Sequence, residues 1–555
     1  MIYDVIIIGS GFSGIYTLKH CLDEGLNAIV LEKSNHLGGV WNIDNKPGGV
    51  QHFTYSVTSK LYLSPSDFPP PEEWPEFPHS SLVQEHLMDY LYHFGLDKKI
   101  RKQCEVKGLV RGEGGWDVSL QNGEVMKARN VVVATGVNTC PSYPKDDVFK
   151  EFKGFTVHSH FYNEQIKARC KGKRVLIIGG SDTACDIAGD ICKDSKKLYV
   201  SIRNGQWFQD RILGGESPAD MFYSRGINWM VKKVVGKHYV HNALGENPEK
   251  LALWWGKGGS DIDVWRPKCD YLNSYYNKSR DIVRLVSFGL VTPCGKVTEI
   301  VGDTVKCEGI DEPFPIDIII YASGYKYMDC VEFAKPHFDA DRYKLMFPIH
   351  DSDSSAEAQS IAFVGYVRPY LTSIPMLIEL QSRVVAKVFA QKISLPAPSE
   401  MRLTYEKDQE RQQKEFPCQA ERIPFLVDPY DYSHQMAEMI GAVPHYTKIA
   451  IEDPFLLYCL IFDSWNHFAY RLNDSDPNKR ALAIAMIKKY HDHKTSQKIR
   501  RTLHSYIISY FITLTLCVAF IILAFKAYKA YKTYKKNIRT LSLNHENVCK
   551  VCPKK

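Results

Sequence analysis

The strongest constraint on the fold is a glycine-rich turn that follows the first predicted strand and opens a helical pattern. The strand over residues 3–8 runs directly into Gly9, Gly11 and Gly14, which are spaced as GxGxxG. In such a unit the first glycine permits a tight turn, the second lets backbone amides approach a pyrophosphate, and the third allows close packing of helix on strand. The N-terminus of the helix adds partial positive charge for the phosphates. The turn therefore predicts a dinucleotide-binding βαβ unit.

An acidic residue stands where this unit needs one. Glu32 ends the next predicted strand, 18 residues after Gly14, and can accept hydrogen bonds from ribose hydroxyls. In this context a glycine turn without a function is disfavoured. The residues predicted to contact this first dinucleotide are Gly9, Ser10, Gly11, Phe12, Ser13, Gly14 and Glu32.

Two further turns of small residues favour FAD as that dinucleotide. Gly38 and Gly39 begin a backbone-exposed turn just past the second predicted strand, a place that lies beside the flavin in flavoproteins with two dinucleotides. The predicted strand over 131–134 ends in Thr135 and Gly136, where small residues let the chain change direction close to a cofactor. The predicted contacts in these turns are Gly39, Val40, Trp41, Thr135 and Gly136.

A second strand–turn–helix pattern occupies residues 173–188. Gly179 holds the first glycine position, whereas Ser181 stands at the second and Ala184 at the third. Alanine is tolerated at the third position, and the hydroxyl of Ser181 can donate to a phosphate. Arg203 lies where the 2′-phosphate of NADP would bind, and a cation there favours NADPH over NADH; the alternative is a surface arginine. The predicted contacts are Gly179, Ser181, Thr183, Ala184, Cys185, Asp186 and Arg203.

The two motifs predict two nested Rossmann-like domains, because Gly9 and Gly179 lie 170 residues apart in a chain of 555. One cofactor would be tightly bound FAD and the other NADPH, a diffusible hydride donor. The predicted fold class is α/β, with two nested Rossmann-like dinucleotide-binding domains, a C-terminal helical segment and a single transmembrane helix. The predicted parts are residues 1–160 (FAD-binding domain, first part), 161–328 (NADPH-binding domain with an aromatic-rich insertion), 329–445 (FAD-binding domain, second part), 446–501 (membrane-proximal helices), 502–525 (transmembrane anchor) and 526–555 (basic tail).

Positive charge is concentrated at the C-terminus. Residues 488–555 carry 15 Lys and Arg against 2 Asp and Glu, which leaves 55 against 61 in residues 1–487. The mildly acidic body argues against nucleic-acid binding, which needs a basic face. The 15 cysteines are scattered along the chain, and the sequence shows no signal peptide before them. Both features fit a reducing compartment. We interpret the close pair Cys549 and Cys552 as free thiols, so no metal site is expected.

An apolar segment near the C-terminus predicts a membrane anchor. Residues 502–525 contain no Lys, Arg, Asp or Glu, and the 20 residues 506–525 would span about 30 Å as a helix. Six basic residues lie close to each side, so the positive-inside rule does not choose an orientation. Beyond the segment, lysines and tyrosines are interleaved over 526–536, a pattern suited to anionic lipid. The predicted partner is therefore a lipid bilayer.

Between the two dinucleotide motifs lies a segment that resembles the FxGxxxHxxx(Y/F) signature of the flavin-containing monooxygenases. Its residues are Phe152, Gly154, His158 and Tyr162. The Baeyer–Villiger signature has Thr after the histidine and Trp at the end, whereas this chain has Ser159 and Tyr162. The segments EKSNHLGGVW, SDFPPPEEWPEF, YASGY and ELQSR also look like this family, of the N-oxide-forming dimethylaniline monooxygenase type. The resemblance covers residues 1 to roughly 475 and the anchor.

The resemblance implies a function and a location. NADPH would reduce FAD, the reduced flavin would react with O2 to a C4a-hydroperoxide, and one oxygen would pass to a soft nucleophilic nitrogen or sulfur of a small molecule. The flavin carries this chemistry, so no residue is assigned a catalytic role, and His158 is interpreted as structural. The protein would position the cofactors and exclude water. The family also implies the endoplasmic reticulum, with the catalytic body facing the cytosol.

Other functions stay open on the sequence alone. A Baeyer–Villiger-type oxygenase would attack ketones with the same flavin chemistry, and an NADPH oxidase would release peroxide. An inactive, membrane-tethered scaffold would keep the fold without the activity. A disulfide reductase would need CxxC or CxxxxC beside the flavin, whereas Cys185 and Cys192 lie too far apart on the second predicted helix.

One departure from the family pattern predicts weak coupling between NADPH oxidation and oxygen transfer. The family commonly has Asn three residues before a Lys and ten before the Asp of its SDFP segment, close to flavin and nicotinamide. Lys60 and Asp67 match, and both counts lead to Val57. A shift of one residue would give Ser56 or Thr58 instead. Valine cannot donate a hydrogen bond, so we expect a shorter-lived hydroperoxide and more H2O2 than in typical members. Stopped-flow spectra with a long-lived C4a adduct would contradict this.

Overall fold

Two sheets built around parallel strands organise the chain, whose structure is a computed structural model. It describes residues 2–44, 47–112, 114–213, 217–222, 224–229, 260–267, 275–326, 329–350, 359–417 and 423–501, with 526, 528, 529 and 532 beyond them. Parallel strands alternate with helices in both sheets, so the predicted α/β class is confirmed.

Strands dominate the first two thirds of the described chain, and helices dominate the last third. The strands are β1 (Ile2–Ile8), β2 (Ala28–Leu31), β3 (Ile100–Arg101), β4 (Val106–Gly112), β5 (Gly115–Leu120), β6 (Val125–Val133), β7 (Phe155–His158), β8 (Arg174–Ile178), β9 (Lys197–Ser201), β10 (Ile212–Leu213), β11 (Ser217–Pro218), β12 (Thr292–Cys294), β13 (Val297–Val301), β14 (Thr304–Cys307), β15 (Phe314–Pro315), β16 (Ile318–Tyr321), β17 (Arg342–Tyr343), β18 (Phe347–Pro348), β19 (Ile361–Phe363), β20 (Arg368–Pro369) and β21 (Leu426–Val427). The α-helices are α1 (Phe12–Asp23), α2 (Lys60–Leu63), α3 (Ser80–His93), α4 (Glu164–Cys170), α5 (Asp182–Ile191), α6 (Arg225–Trp229), α7 (Asp281–Ser287), α8 (Lys335–Phe338), α9 (Ile374–Phe389), α10 (Pro398–Glu415), α11 (Pro429–Met439), α12 (Tyr446–Glu452), α13 (Pro454–Phe462) and α14 (Pro477–Lys489). Residues 494–501 are also helical.

The larger sheet forms the first dinucleotide unit. Its strand order is β3-β2-β1-β6-β5-β4, and β19 pairs with β6. Strand β1 lies between β2 and β6 and is parallel to both, so its carboxyl end lies where the strand order reverses. Ligands of open α/β sheets bind at such a point. The first glycine turn therefore lies where a cofactor is expected.

The second sheet is inserted into the first along the chain. Its order is β12-β9-β8-β16-β7, every pair is parallel, and all five strands fall between β6 and β19 in sequence. This is the predicted nested arrangement. Strand β7 belongs to the second sheet, although the predicted division at residue 160 places it in the first domain. The other domain boundaries stay predictions.

Helices of the last third pack on the first sheet and its helix. Helix α9 contacts α1 and α11, and buried apolar residues from both ends of the chain form one core. No helix within the described ranges is long and apolar enough to cross a membrane. The predicted anchor, residues 502–525, lies outside the described residues.

A buried ionic cluster joins α1 to the C-terminal helices. The Arg471 guanidinium pairs with Glu379 on α9 (Nη2–Oε1 2.8 Å) and with Asp67 (Nη2–Oδ2 3.3 Å). Lys19 on α1 also pairs with Asp67, and none of these four side chains is more than 4% exposed. Burial opposes ionisation of the two carboxyls, but Arg471 holds the pKa of both below the usual range. Removing one member would leave a buried charge without its partner.

Replacing Arg471 with Met is therefore expected to destabilise the protein by about 3–5 kcal/mol, the cost of breaking a buried ion pair. Unfolding of the full-length protein by urea measures the loss. The matched control is Arg402→Met, because Arg402 is 34% exposed where it pairs with Asp341 and is expected to cost about 0–1 kcal/mol. Equal losses of unfolding free energy in the two variants would show that the buried cluster contributes no more stability than an exposed ion pair.

Candidate functional site

The first glycine turn has the close contacts that the motif predicts. Gly9 has a φ of +106°, and a Cβ there would lie 2.6 Å from the carbonyl oxygen of Ala134. A Cβ on Gly14 would lie 1.8 Å from the carbonyl oxygen of Gly9, so no side chain fits between α1 and β1. The glycines at the first and third positions of the motif are therefore required for α1 to start against the sheet.

The middle glycine faces a second glycine across an open cradle. A Cβ on Gly11 would meet only the Cα of Gly39, at 3.7 Å, and a Cβ on Gly39 would lie 3.0 Å from the Cα of Gly11. No side chain of the described residues caps the first turn of α1, which begins after Gly11. The first amides of that helix thus point to an acceptor outside the helix. A cradle of two glycine backbones beside free helix amides fits the pyrophosphate of FAD.

Glu32 connects the end of β2 to the first turn. Its Oε2 accepts hydrogen bonds from the amide of Ser10 (2.9 Å) and from the Ser10 hydroxyl (2.8 Å), and its Oε1 accepts one from the amide of Ser34 (2.8 Å). The side chain is buried. Glu32 therefore holds the turn in place, and its predicted contact with ribose stays a prediction.

The remaining residues predicted for the first site surround the same turn. The Trp41 and Phe12 rings meet edge to face, with centroids 6.3 Å apart, while Val40 is exposed. The hydroxyl of Thr135 hydrogen-bonds with that of Tyr366 (2.8 Å), and Gly136 has a φ of +77° beside open space. The structure thus gathers these predicted residues at the carboxyl end of β1 and β6.

Two residues that the sequence analysis missed support this site. A Cβ on Gly365, two residues after β19, would lie 2.2 Å from the Ser13 hydroxyl oxygen, so this turn approaches the start of α1 closely. The amide of Gly365 donates to Oε1 of Gln381 (2.9 Å). The signal available in the sequence is a glycine that follows a predicted strand, as at Gly9 and Gly179.

The second glycine turn repeats the first with changes. Gly179 has a φ of +130°, and a Cβ there would lie 2.3 Å from the carbonyl oxygen of Ala322. The motif does not require a glycine at position 180. A Cβ on Gly180 would nevertheless lie only 2.7 Å from Cδ1 of Ile202. Ser181 has ordinary extended backbone and precedes α5 without capping it. Ser181 and the uncapped first turn of α5 fit a phosphate.

Two carboxyls lie at the start of α5, one turn apart. The amide of Lys278 donates to Oδ1 of Asp182 (3.2 Å), and Nδ2 of Asn277 donates to the Gly180 carbonyl (3.0 Å). Burial raises the pKa of Asp182 above its usual value. Burial and the charge of Asp182 raise the pKa of Asp186 to about 7. Negative charge here opposes that of a phosphate, which distinguishes the second turn from the first.

The other residues predicted for the second site differ in exposure. Thr183 is exposed on α5, whereas Ala184 and Cys185 are buried. Burial also raises the pKa of the Cys185 thiol well above its usual value, and Cys185 and Cys192 are both free thiols. The Arg203 side chain is 59% exposed, 3.5 Å from the Asp146 carboxylate. Its predicted contact with a 2′-phosphate stays a prediction.

The loop that contains Val57 lies next to α5. Burial raises the pKa of Asp186 on α5, and Arg211 and Thr54 both lie close enough to oppose that rise; Nη1 of Arg211 also donates to the carbonyl of Ser56 (3.3 Å). Val57 itself is half-buried, and the Ser56 hydroxyl donates to the carbonyl of Thr58 (2.7 Å). This loop therefore spans the space between the second dinucleotide turn and the aromatic-rich insertion.

His158 is fully buried at the end of β7. Its Nδ1 accepts a hydrogen bond from the amide of His160 (3.1 Å), and burial lowers its pKa to about 4. A neutral imidazole that accepts a backbone hydrogen bond supports a structural role.

Two dinucleotide turns, each at the carboxyl end of a strand that lies between two parallel neighbours in one of two nested sheets, define a two-dinucleotide flavoprotein fold. Residues 3–530 match the model of a family described as flavin-binding monooxygenase-like, and the chain belongs to that family. The predictions of the family, of a monooxygenase among the oxidoreductases, and of FAD and NADPH as cofactors are thereby confirmed.

Named relatives cover most of the chain. Flavin-containing monooxygenase 5 of Rattus norvegicus is 28% identical over 529 residues, which are 91% of this chain and 94% of that protein. Dimethylaniline monooxygenase [N-oxide-forming] 2 of Rattus norvegicus is 28% identical over 490 residues, covering 85% and 89%. The structure of S-allyl-L-cysteine S-oxygenase from Allium sativum superposes with a TM-score of 0.56 at 20% sequence identity. The match covers 88% of this chain and 98% of that one. The open structure of cyclohexanone monooxygenase superposes with a TM-score of 0.59 at 17% sequence identity. The match covers 79% of this chain and 98% of that one. These two likenesses concern the fold.

A methyl group in the cradle is expected to weaken FAD binding. In Gly11→Ala the added Cβ meets only Gly39, so the protein should fold, but the methyl group fills space that the pyrophosphate needs. We expect the affinity of the apoprotein for FAD to fall by about tenfold or more, which corresponds to about 1.4 kcal/mol. The matched control is Gly189→Ala on α5, where nothing lies within 4 Å of the added Cβ. Titration of the apoproteins with FAD measures both, and equal affinities would exclude a pyrophosphate beside Gly11.

Proposed function

We propose that the protein is a membrane-anchored monooxygenase that uses FAD and NADPH to transfer one oxygen atom of O2 to a soft nitrogen or sulfur of a small molecule. The observation that carries this proposal is the pair of dinucleotide turns in a chain of this family. The name of one relative supports the chemistry, since dimethylaniline monooxygenase 2 is an N-oxide-forming enzyme.

The chain's own residues would hold the cofactors. We assign FAD to the turn of Gly9, Gly11 and Gly14, where the first amides of α1 would bind its pyrophosphate. We assign NADPH to the turn of Gly179 and Ser181. When bound, reduced flavin supplies activated oxygen and NADPH supplies the hydride. The loop of residues 54–59 would exclude water beside the second turn, because Ser56 and Thr58 satisfy each other's hydrogen bonds and the Val57 side chain is apolar.

We further propose that residues 502–525 span a membrane, as their composition predicts. The endoplasmic reticulum and a body that faces the cytosol belong to the same proposal. We keep the predicted division into an FAD-binding domain in two parts, an NADPH-binding domain, membrane-proximal helices and a basic tail. The one change is that β7 moves to the NADPH-binding domain.

A substrate panel tests the proposed reaction. Purified full-length protein is expected to be yellow, to consume NADPH in air, and to convert a tertiary amine or a thioether to its N-oxide or S-oxide. Mass spectrometry with ¹⁸O2 measures the transferred atom. Ester formation from a simple ketone, without oxidation of amine or thioether, would instead make the protein a Baeyer–Villiger-type oxygenase. Colourless protein that takes up no FAD would instead show that the chain is an inactive scaffold.

The same assay sharpens the expectation for Val57. The H2O2 released per NADPH oxidised is expected to fall in Val57→Asn, because an amide can donate a hydrogen bond where valine cannot. The matched control is Val57→Leu, which keeps the position apolar and is expected to leave the ratio high. An unchanged ratio in Val57→Asn would place the family's asparagine position elsewhere.

A further inference from the structure

Three side chains that can bind a metal ion meet where α13 ends beside the residues that follow α14. Cys459 lies on α13, Asp463 directly follows that helix, and His491 lies 28 residues beyond Asp463, just after α14. The thiol sulfur, a carboxylate oxygen and a ring nitrogen all lie within 4.8 Å of one another. Cys459 and Asp463 are buried, whereas the His491 side chain is 20% exposed. We call these three residues the ligand cluster.

The backbone and the neighbouring rings hold the ligand cluster in place. The amide of Asp463 donates to the carbonyl of Cys459 (3.1 Å), as in the last turn of a helix, so these two side chains lie one turn apart on one face. The rings of Phe455 and Tyr458 lie 4.9 Å and 6.0 Å from the imidazole ring of His491. Apolar rings around a metal site limit the access of water to it.

The separations within the ligand cluster fit a tetrahedral zinc ion. Zinc binds thiolate sulfur at about 2.3 Å and imidazole nitrogen or carboxylate oxygen at about 2.0–2.2 Å, so neighbouring ligand atoms lie about 3.3–3.6 Å apart. Sγ of Cys459 is 3.7 Å from Nδ1 of His491, and Oδ2 of Asp463 is 2.8 Å from the same nitrogen. The oxygen needs to move away by only about half an ångström. Thiolate, imidazole and carboxylate together suit zinc and leave a fourth position for water.

The ring nitrogen of His491 cannot satisfy both of its polar neighbours with a proton. Nδ1 is 2.8 Å from the Asp463 carboxylate and 3.0 Å from Nη1 of Arg500. The two protons of Nη1 go to that carboxylate and to the His491 carbonyl (2.8 Å). A protonated Nδ1 therefore faces the guanidinium with a second N–H, whereas an unprotonated Nδ1 faces the carboxylate with a lone pair. A metal ion in place of Nη1 removes this conflict, because it accepts the lone pair and attracts the carboxylate at once.

We propose that Cys459, Asp463 and His491 bind a zinc ion at the position that Nη1 of Arg500 takes in this structure. The Cys459 thiol releases its proton to solvent as the sulfur binds, Nδ1 of His491 supplies its lone pair, and one oxygen of Asp463 completes the protein ligands. The Arg500 side chain is 15% exposed and turns out toward solvent. The ion joins the end of α13 to the residues after α14, so its role is structural and separate from the glycine turns.

Cobalt substitution tests the site in the full-length protein. Co²⁺ binds the same types of ligand as zinc but more weakly, and a thiolate bound to it produces a charge-transfer band in the near ultraviolet. The protein is treated with a chelator and a thiol reductant, transferred to buffer without either, and titrated with Co²⁺ against its own spectrum, so that flavin absorbance cancels. We expect a single Co²⁺ per chain with a thiolate band, and Zn²⁺ is expected to displace it. Absence of a thiolate band at saturating Co²⁺ would overturn the proposal.

Cysteine variants show which thiol binds the ion. Cys459→Ser is expected to abolish the thiolate band and to weaken Co²⁺ binding by more than about tenfold. The matched control is Cys104→Ser, which changes a buried thiol that donates to a backbone carbonyl, and it is expected to leave the band intact. The double variant Cys549→Ser, Cys552→Ser is also expected to keep the band. A band that survives in Cys459→Ser and is lost in the double variant would assign the metal to the tail and overturn the proposal.

Removing the competing guanidinium separates a zinc site from a simple ion pair. Arg500→Gln leaves the buried Asp463 carboxylate without its cation, so the melting temperature is expected to fall in the absence of metal. Adding Zn²⁺ is expected to restore it, because an ion that binds only the folded state stabilises that state. This recovery is expected to disappear when Cys459→Ser is combined with Arg500→Gln. A melting temperature of Arg500→Gln that does not respond to Zn²⁺ would show that the ligand cluster is only an ion pair.

Discussion

The contact between Gly14 and the carbonyl of Gly9 fixes the start of α1 against the carboxyl end of β1. With 1.8 Å from a Cβ on Gly14 to that oxygen, no other residue allows the helix to begin there. The uncapped amides of α1 are consequently aimed at the cradle between Gly11 and Gly39. The carboxylate of Glu32 holds the intervening Ser10 from the other side. Sheet order, glycine spacing and one acidic side chain thus produce a single cradle whose geometry fits a pyrophosphate.

The far end of α1 is held by charge. Lys19, Asp67, Glu379 and Arg471 come from four separate parts of the chain and meet away from solvent. The half of the protein assigned to FAD is therefore assembled from both ends of the sequence, with the second sheet inserted between them. The assembly depends on all four parts of the chain, because removing any one of these groups would leave a buried charge without its partner.

Local patterns predicted the parts of this architecture that local chemistry determines. The strands predicted before the two glycine turns are present as β1 and β8, and the glycine spacings predicted both turns. Contacts between distant residues were beyond such patterns. Gly365 approaches Ser13 only because β19 pairs with β6, and Arg471 meets Ser66 across 405 residues. The same holds for β7, whose place in the second sheet depends on β16 rather than on its own sequence.

The two glycine turns differ in charge, and this difference bears on the proposed assignment of one cofactor to each turn. The first turn of α1 contains no acidic residue, whereas that of α5 begins with Asp182 and is followed by Asp186 one turn later. A carboxylate beside a phosphate lowers the binding free energy that the helix N-terminus supplies. Raised pKa values of both carboxyls reduce this cost, because each holds its proton to higher pH than an exposed aspartate. The two turns thus differ in charge although their backbones are alike, and this difference is compatible with the proposed assignment of a resident flavin to the first turn and a diffusible hydride donor to the second.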